Sequence, residues 1–188
     1  MRVIAGTAKG RKLKDVPGKT TRPLTDRVKE SLFSILAPRL SDANVLDLYA
    51  GSGSFSIEAV SRGANSSVAV ERSSRPFATA KQNISIAGFE SQVELVRGDV
   101  AAYADRITGE KTFDLVFADP PFAKADENNP SFRRLCSLLA ELTEPDGLLV
   151  IRVFEQVQSP QVARMQLVRE KKVGISRLIF YCHEGKAS

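Results

Sequence analysis

The sequence has no tryptophan, one histidine (His183), two cysteines (Cys136 and Cys182) and two methionines in 188 residues. Each shortage removes a class of function. A structural zinc site draws on closely spaced Cys and His ligands, which one histidine and two distant cysteines do not supply, so no metal is expected. A Ser-His-Asp or Cys-His nucleophilic site needs a histidine among its partners, and a lone His183 near the end of the chain argues against one. Two cysteines do not make a disulfide framework, so a reducing cytoplasm is the expected setting. No apolar run reaches the roughly 18 residues that cross a bilayer, so no membrane is expected. The opening Met1-Arg2-Val3-Ile4-Ala5-Gly6 has no signal-type apolar stretch. There is no internal repeat and no low-complexity segment.

Hydrophobic residues make up 43% and charged residues 26%, the balance of a folded globular chain. The length fits one domain with a small appendage, read as a monomer. The charge is unevenly spread. Residues 1–40 carry ten Lys/Arg against three acids, a balance of +7, while the remaining 148 carry 17 basic and 19 acidic residues, a balance of −2. A basic head on a near-neutral body points to a polyanionic partner met at one end.

Residues 1–16 read as a short hairpin, with Arg2–Ala5 and Arg11–Val16 flanking a turn that contains Gly6 and Gly10. Residues 17–25 read as loop. A helix is expected from about Asp26, with Val28, Leu32, Ile35 and Leu36 on one face, a cap at Thr25 or Asp26, and an end near Pro38. From residue 44 β-rich runs alternate with helical ones. The strands are Asn44–Tyr49, Ser66–Glu71, Val93–Val96, Phe113–Ala118 and Leu148–Phe154; the helices are about 54–62, 73–87 and 130–141. Gln166–Val173 and Ile175–Tyr181, separated by Gly174, read as an antiparallel pair at the sheet edge. The fold class is α/β, a doubly wound, mostly parallel seven-stranded sheet with a short basic N-terminal hairpin. Residues 1–25 are the basic extension and 26–188 the main domain.

The first strand ends in Asp47-Leu48-Tyr49-Ala50-Gly51-Ser52-Gly53. The glycines permit a tight turn against which a ligand can lie, and the following helix offers free N–H groups. Ser56 stands where the dinucleotide fingerprint has its third glycine, so that fingerprint is incomplete. Asp47 before the glycines disfavours a pyrophosphate and suits a ligand with a positive amino group. Glu71 ends the second strand, where a carboxylate can accept both hydroxyls of a ribose. Asp99 follows the third strand, within reach of an adenine amino group. All three acids fall at the edge where open α/β sheets bind ligands. S-adenosylmethionine, with an ammonium, a sulfonium, a carboxylate and no phosphate, fits these features.

The fourth strand ends in Asp119-Pro120-Pro121-Phe122. Two prolines stiffen the corner and fix the Pro120 carbonyl beside the Asp119 carboxylate. Phe122 adds a ring face. The set suits a planar base whose exocyclic amine points at two acceptors while its ring stacks on Phe122.

The ordered motifs Asp47-x-x-Ala50-Gly51-x-Gly53, Glu71, Gly98-Asp99 and Asp119-Pro120-Pro121-Phe122 resemble those of class I S-adenosylmethionine-dependent amino-methyltransferases. Arg2-Val3-Ile4-Ala5-Gly6, Gly10-Arg11-Lys12-Leu13 and the stretch from Arg22 to Leu36 resemble the RsmD family, and the likeness runs over nearly the whole chain. It implies a methyl transfer to the N2 amine of a guanine in small-subunit 16S ribosomal RNA, on the subunit or its assembly intermediate. It places Asp47, Gly51 and Gly53 at the methionine end of the cofactor, Glu71 at the ribose and Asp99 with Val100 at the adenine, with Ala50, Ser52 and Arg72 also among the cofactor-binding residues. It places Asp119, Pro120 and Phe122 at the target base, with Asp119 also beside the cofactor. Arg2, Lys9, Arg11, Lys12, Arg22 and Arg27 would meet RNA; Thr25, Asp26 and Arg27 would close over the site. Three positions depart from the family pattern: Leu24 replaces a threonine, Phe122 stands where tyrosine is commoner, and Arg152 stands where an acid is usual. The rival readings are an adenine-N6 or protein-glutamine methyltransferase and a non-catalytic RNA-binding assembly factor. A nicotinamide-dependent dehydrogenase fits least, lacking the third glycine.

Overall fold

Thr25 has extended backbone and its side chain accepts from Val28 N, so helix α1 (Asp26–Leu36) starts where an N-cap residue precedes an apolar stripe. Val28, Leu32, Phe33 and Leu36 are buried along that stripe, and Pro38 lies in the single 3-10 turn Ala37–Arg39 that ends it. The structure, a computed structural model, describes residues 1–18, 25–121 and 129–185. Arg22, Leu24 and Phe122 lie outside the described residues.

After α1 the chain runs β1 (Asn44–Leu48), α2 (Ser54–Ser61), β2 (Ser66–Glu71), α3 (Ser74–Ala87), β3 (Val93–Arg97), α4 (Val100–Ile107), β4 (Phe113–Ala118), α5 (Pro130–Leu142), β5 (Thr143–Phe154), β6 (Met165–Val173) and β7 (Ser176–His183). The seven strands form one sheet in the order β3-β2-β1-β4-β5-β7-β6. Strands β1 to β5 are parallel; β7 pairs antiparallel with both β5 and β6.

Alternation along the strands feeds two apolar layers. Val45, Leu115, Phe117 and Val150 join a cluster with α1, α2 and α3, while Leu46, Leu48, Val116 and Leu149 join one with α4 and α5. Strand order reverses between β1 and β4, and the crevice outside their C-terminal ends is where such sheets take ligands. No helix among the described residues is long and apolar enough to cross a membrane.

Two elements differ from the sequence reading. Helix α4 is additional: Asp99 caps it by accepting from Ala101 N (3.0 Å) and Ala102 N (3.3 Å). Strand β5 begins at Thr143 rather than Leu148, with an irregular register between Phe113 and Leu115 absorbing the Pro145-Asp146-Gly147 stretch.

The N-terminal arms pair as expected but form no regular strand. Val3 N donates to Arg11 O, Gly10 N to Val3 O and Leu13 N to Met1 O, with one isolated bridge, Arg2 to Lys12. Gly6 (φ +83°) lies so close to α2 that a Cβ on it would sit 1.6 Å from Ser61 O. Thr7 N donates to Ser61 O (2.8 Å) and Ala8 N to Ser61 Oγ (3.0 Å). Val3, Ala8 and Leu13 are buried in the same core layer as α1 and α2, so the basic head shares the domain's core.

Candidate active site

The end of β1 is built from left-handed backbone. Tyr49 (φ +67°), Gly51 (φ +57°) and Gly53 (φ +75°) carry the chain from the strand into α2. Glycine adopts such angles freely; Tyr49 does so at a cost of about 1–3 kcal/mol, the kind of strain that clusters at functional sites. A Cβ on Gly53 would lie 3.3 Å from Ala80 Cβ, so the turn also needs glycine for close packing on α3.

This turn walls a cavity of about 640 Å³ that also meets Asp47, Ser54, Glu71, Asp99, Val100, Asp119, Pro120 and Arg152. The volume is in the range of sites for drug-sized ligands and cofactors, about 300–1,000 Å³. Asp47, Ala50, Gly51, Ser52, Glu71, Arg72, Asp99, Val100, Asp119 and Pro120 are thus brought to one cavity. Gly53 stands behind its wall as the α2 cap.

The acids are not equivalent. Asp47 is fully buried, and Ser56 donates to its Oδ2 from both N (3.2 Å) and Oγ (2.7 Å). Burial pushes its carboxyl up to about 7 against the pull of Ser56, with Asp119 and Glu71 raising it further. Glu71 accepts from Gly51 N (3.0 Å) on one oxygen and Ser73 N (2.6 Å) on the other. Each oxygen keeps a lone pair for a ribose hydroxyl. Asp99 is exposed and already caps α4; its Oδ2 lies 3.5 Å from Arg72 Nη1.

At the end of β4, Asp119 N donates to Leu48 O (3.1 Å), joining this corner to the end of β1. Asp119 Oδ2 accepts from Arg152 Nη1 at 2.8 Å. Burial raises its carboxyl to about 6, and Arg152 opposes the rise. Under the corner, Phe117 stacks on Phe55 of α2 with ring centroids 4.1 Å apart.

Several residues here escaped the sequence reading. Ser54, the first residue of α2, faces the cavity with a buried hydroxyl that has no partner among the described residues. Tyr49 lines the cavity, as do Met1, Asp15, Val16 and Gly18 from the basic head and Asn129 and Ser131 at the start of α5, and Arg152, noted in the sequence as a departure from the family pattern, lines it too. Only Asn129-Pro130 had a legible signal, an N-cap residue before proline.

Of the cations expected to meet RNA, Lys9, Lys12 and Arg27 are exposed. Arg2 is exposed but paired with Asp26 at 3.2 Å. Arg11 is committed elsewhere: its Nη1 donates to Ile86 O (3.0 Å) and Ala87 O (2.6 Å), closing the C-terminus of α3. Lys29, counted in the basic head, is fully buried against Glu58 and contributes no surface charge.

The donor set fits S-adenosylmethionine. The orphan Ser54 hydroxyl and the α2 N-terminus suit its carboxylate, Asp47 its ammonium and Glu71 its ribose. The buried Asp47 carboxyl gives a testable pH effect. Its folded pKa lies above its unfolded value near 3.8. The folded state therefore holds the extra proton, and the stabilisation is complete below about pH 4 and lost as pH rises through about 7. In urea unfolding of the ligand-free protein from pH 4 to 8, wild type is expected to lose on the order of 4 kcal/mol relative to Asp47→Asn. Parallel pH curves would remove the shift.

Fold and cavity together define a class: a Rossmann-like class I methyltransferase, with the glycine turn after β1 and the Asp-Pro-Pro corner after β4 sharing one cleft. The family model described as conserved hypothetical protein 95 matches residues 1–182, and the chain belongs to that family, the RsmD family its motifs resemble. A Bacillus subtilis relative is 35% identical over a 192-residue alignment covering 98% of this chain and all of its own. The ribosomal RNA small subunit methyltransferase D of Escherichia coli K12 is 33% identical over 183 residues, covering 93% of this chain and 85% of its own. A solved Escherichia coli structure superposes with a TM-score of 0.81 at 30% identity over 99% of both chains.

Proposed function

We propose that this protein transfers a methyl group from S-adenosylmethionine to the exocyclic N2 of a guanine in small-subunit ribosomal RNA. The observation that carries this reading is the shared cavity, in which a partly buried acid-proline corner stands beside a glycine turn suited to the cofactor. Membership of a family with relatives named as small-subunit methyltransferases supports RNA as the substrate class.

An aromatic amine has its lone pair spread into the ring. Asp119 and the Pro120 carbonyl, as acceptors off the ring plane, favour a pyramidal nitrogen with its lone pair aimed at the methyl group. Phe122 serves as the stacking face for the base. When bound, the cofactor supplies a sulfonium-activated methyl: the N2–carbon bond forms as the sulfur–carbon bond breaks, S-adenosylhomocysteine leaves, and N2 gives its extra proton to water. Orientation of this kind contributes on the order of 7–11 kcal/mol, so no strong base is required of the chain.

Residues 1–25 act as the RNA-facing extension and 26–188 as the transferase domain. Among the described residues, the exposed Lys9, Lys12 and Arg27 are the expected cations left to meet phosphates. Lys9→Glu/Lys12→Glu is expected to weaken RNA binding and lower the salt slope by about 2, read as binding constants against salt concentration. An unchanged slope would remove this face from the interface. Arg11→Glu is expected instead to lower thermal stability through α3.

The decisive experiment incubates the protein with labelled S-adenosylmethionine and naked ribosomal RNA, small-subunit particles or DNA, followed by digestion to nucleosides. Label is expected as N2-methylguanosine from small-subunit RNA or particles. Label on adenine N6 or on a protein glutamine would overturn the base assignment; no label on any substrate would favour a binding role.

A further inference from the structure

Arg152 lies on β5, one residue past Ile151, which pairs with Ala118 at the end of β4. Its side chain is 4% exposed, yet it carries a charge that a strand between two apolar layers disfavours. Its Nη1 donates to Asp119 Oδ2 at 2.8 Å, and both side chains border the cleft. Asp119 Oδ1 makes no hydrogen bond among the described residues.

We infer that Arg152 is a positioning residue: its guanidinium holds the Asp119 carboxylate in one orientation, as an acceptor, with Oδ1 left for the amine of the target base. This rests on the function proposed above, in which Asp119 receives that amine. Among the described residues, the charged group acting on Asp119 is Arg152 from β5, and Asp119 and Glu71 in turn raise Asp47 of β1. Helix α5 brings Asn129 and Ser131 to the cleft, neither of them titratable. Without the guanidinium, Asp119 loses the one charge that opposes the rise burial imposes, and it keeps a proton to higher pH. A protonated carboxyl presents a donor where the amine needs an acceptor. Arg152 thus supplies both orientation and charge to Asp119.

The first test needs no RNA. In aspartate-labelled protein, the Asp119 carboxyl is followed by carbon NMR against pH, with Asp119→Asn assigning the signal. Arg152→Met is expected to move its titration up by at least about one unit and Arg152→Lys by less. An unmoved titration in either variant overturns the inference, whatever the substrate.

The second test is single-turnover methyl transfer. Arg152→Met is expected to lower the rate about 100-fold at neutral pH, with cofactor affinity within about threefold and the acidic limb at higher pH. Arg152→Lys is expected to recover about tenfold of that loss. In an Asp119→Asn background the same Arg152→Met change is expected to matter less than about threefold. Equal factors in both backgrounds would show Arg152 acting apart from Asp119 and overturn the inference. The double variant Asp119→Asn/Arg152→Met leaves neither member of this pair as a stranded charge, which keeps it available should Arg152→Met alone not fold. A wild-type protein that labels no RNA would sink the proposed function, while the titration would still decide the role of Arg152.

Discussion

Replacing Asp119 with alanine is expected to lower single-turnover methyl transfer by about a thousandfold while cofactor affinity stays within about threefold. The reason is the division of the cleft. Asp47, Ser54 and Glu71 lie on β1, α2 and β2, whereas Asp119 stands across the switch point at the end of β4. Removing an acceptor aimed at the reacting centre typically costs on the order of 10²–10³ in rate. On the proposed function the Pro120 carbonyl alone does not set the pyramid of the amine, which places the expected loss at the upper end. Wild-type transfer is also expected to fall as pH drops through about 6, where Asp119 gains its proton. The alanine variant should lack that limb. Arg152 is left buried without this partner, so the variant's melting curve must accompany its kinetics. Equal loss of rate and cofactor affinity would assign Asp119 to the cofactor rather than to the target base.

Much of this cleft was legible in the sequence because its chemistry is local. Gly51 and Gly53 follow a β-rich run directly, Glu71 and Asp99 end or follow runs of their own, and Asp119-Pro120-Pro121 names a corner in consecutive residues. Strand β5 was readable from Leu148 because the apolar run starts there; Thr143 pairs with Phe113 through backbone alone, which side-chain pattern does not report. Helix α4 had its signal, Val100, Tyr103, Ala104 and Ile107 at helical spacing after a capping Asp99, but at eight residues it is too short for that spacing to stand out. The roles of Arg152, Arg11 and Lys29 were not readable. Each is a cation by composition, and only the tertiary fold brings Asp119, the α3 carbonyls or Glu58 to it. A charge count treats Lys29 as surface, which is why the basic head is less basic towards solvent than its sequence suggests. Tyr49 escaped for a different reason: a left-handed tyrosine is imposed by its surroundings, not favoured by its side chain.

The largest stability effect is expected at Glu58, far from any reacting atom. Its carboxylate is fully buried and collects four donors. Ile4 N (2.9 Å) and Lys29 Nζ (3.4 Å) reach one oxygen; Ala5 N (3.0 Å) and Arg62 Nε (2.8 Å) reach the other. Lys29 Nζ also donates to Arg2 O, so α1, α2 and the basic head meet at one charge. Burial pulls the Lys29 amine below its ordinary range, with Glu58 opposing the fall. Glu58→Ala strands a buried ammonium and two backbone N–H groups, a loss of about 3–5 kcal/mol in urea unfolding. For a domain of this size that corresponds to a melting point lower by about 10 °C. Because Met1, Asp15 and Val16 wall the cofactor cleft, the variant is also expected to bind cofactor more weakly and to be cut by protease within residues 1–16. Lys29→Met separates the two roles of the carboxylate. It removes the ammonium but leaves Glu58 its bonds to Ile4, Ala5 and Arg62, so it should cost less than half as much and leave the head protected. If Lys29→Met proves as damaging as Glu58→Ala, the ion pair rather than the backbone anchor holds the head in place. A Glu58→Ala protein within about 1 kcal/mol of wild type, its head still protected, would mean that Ser61 and the apolar Val3, Ala8 and Leu13 suffice.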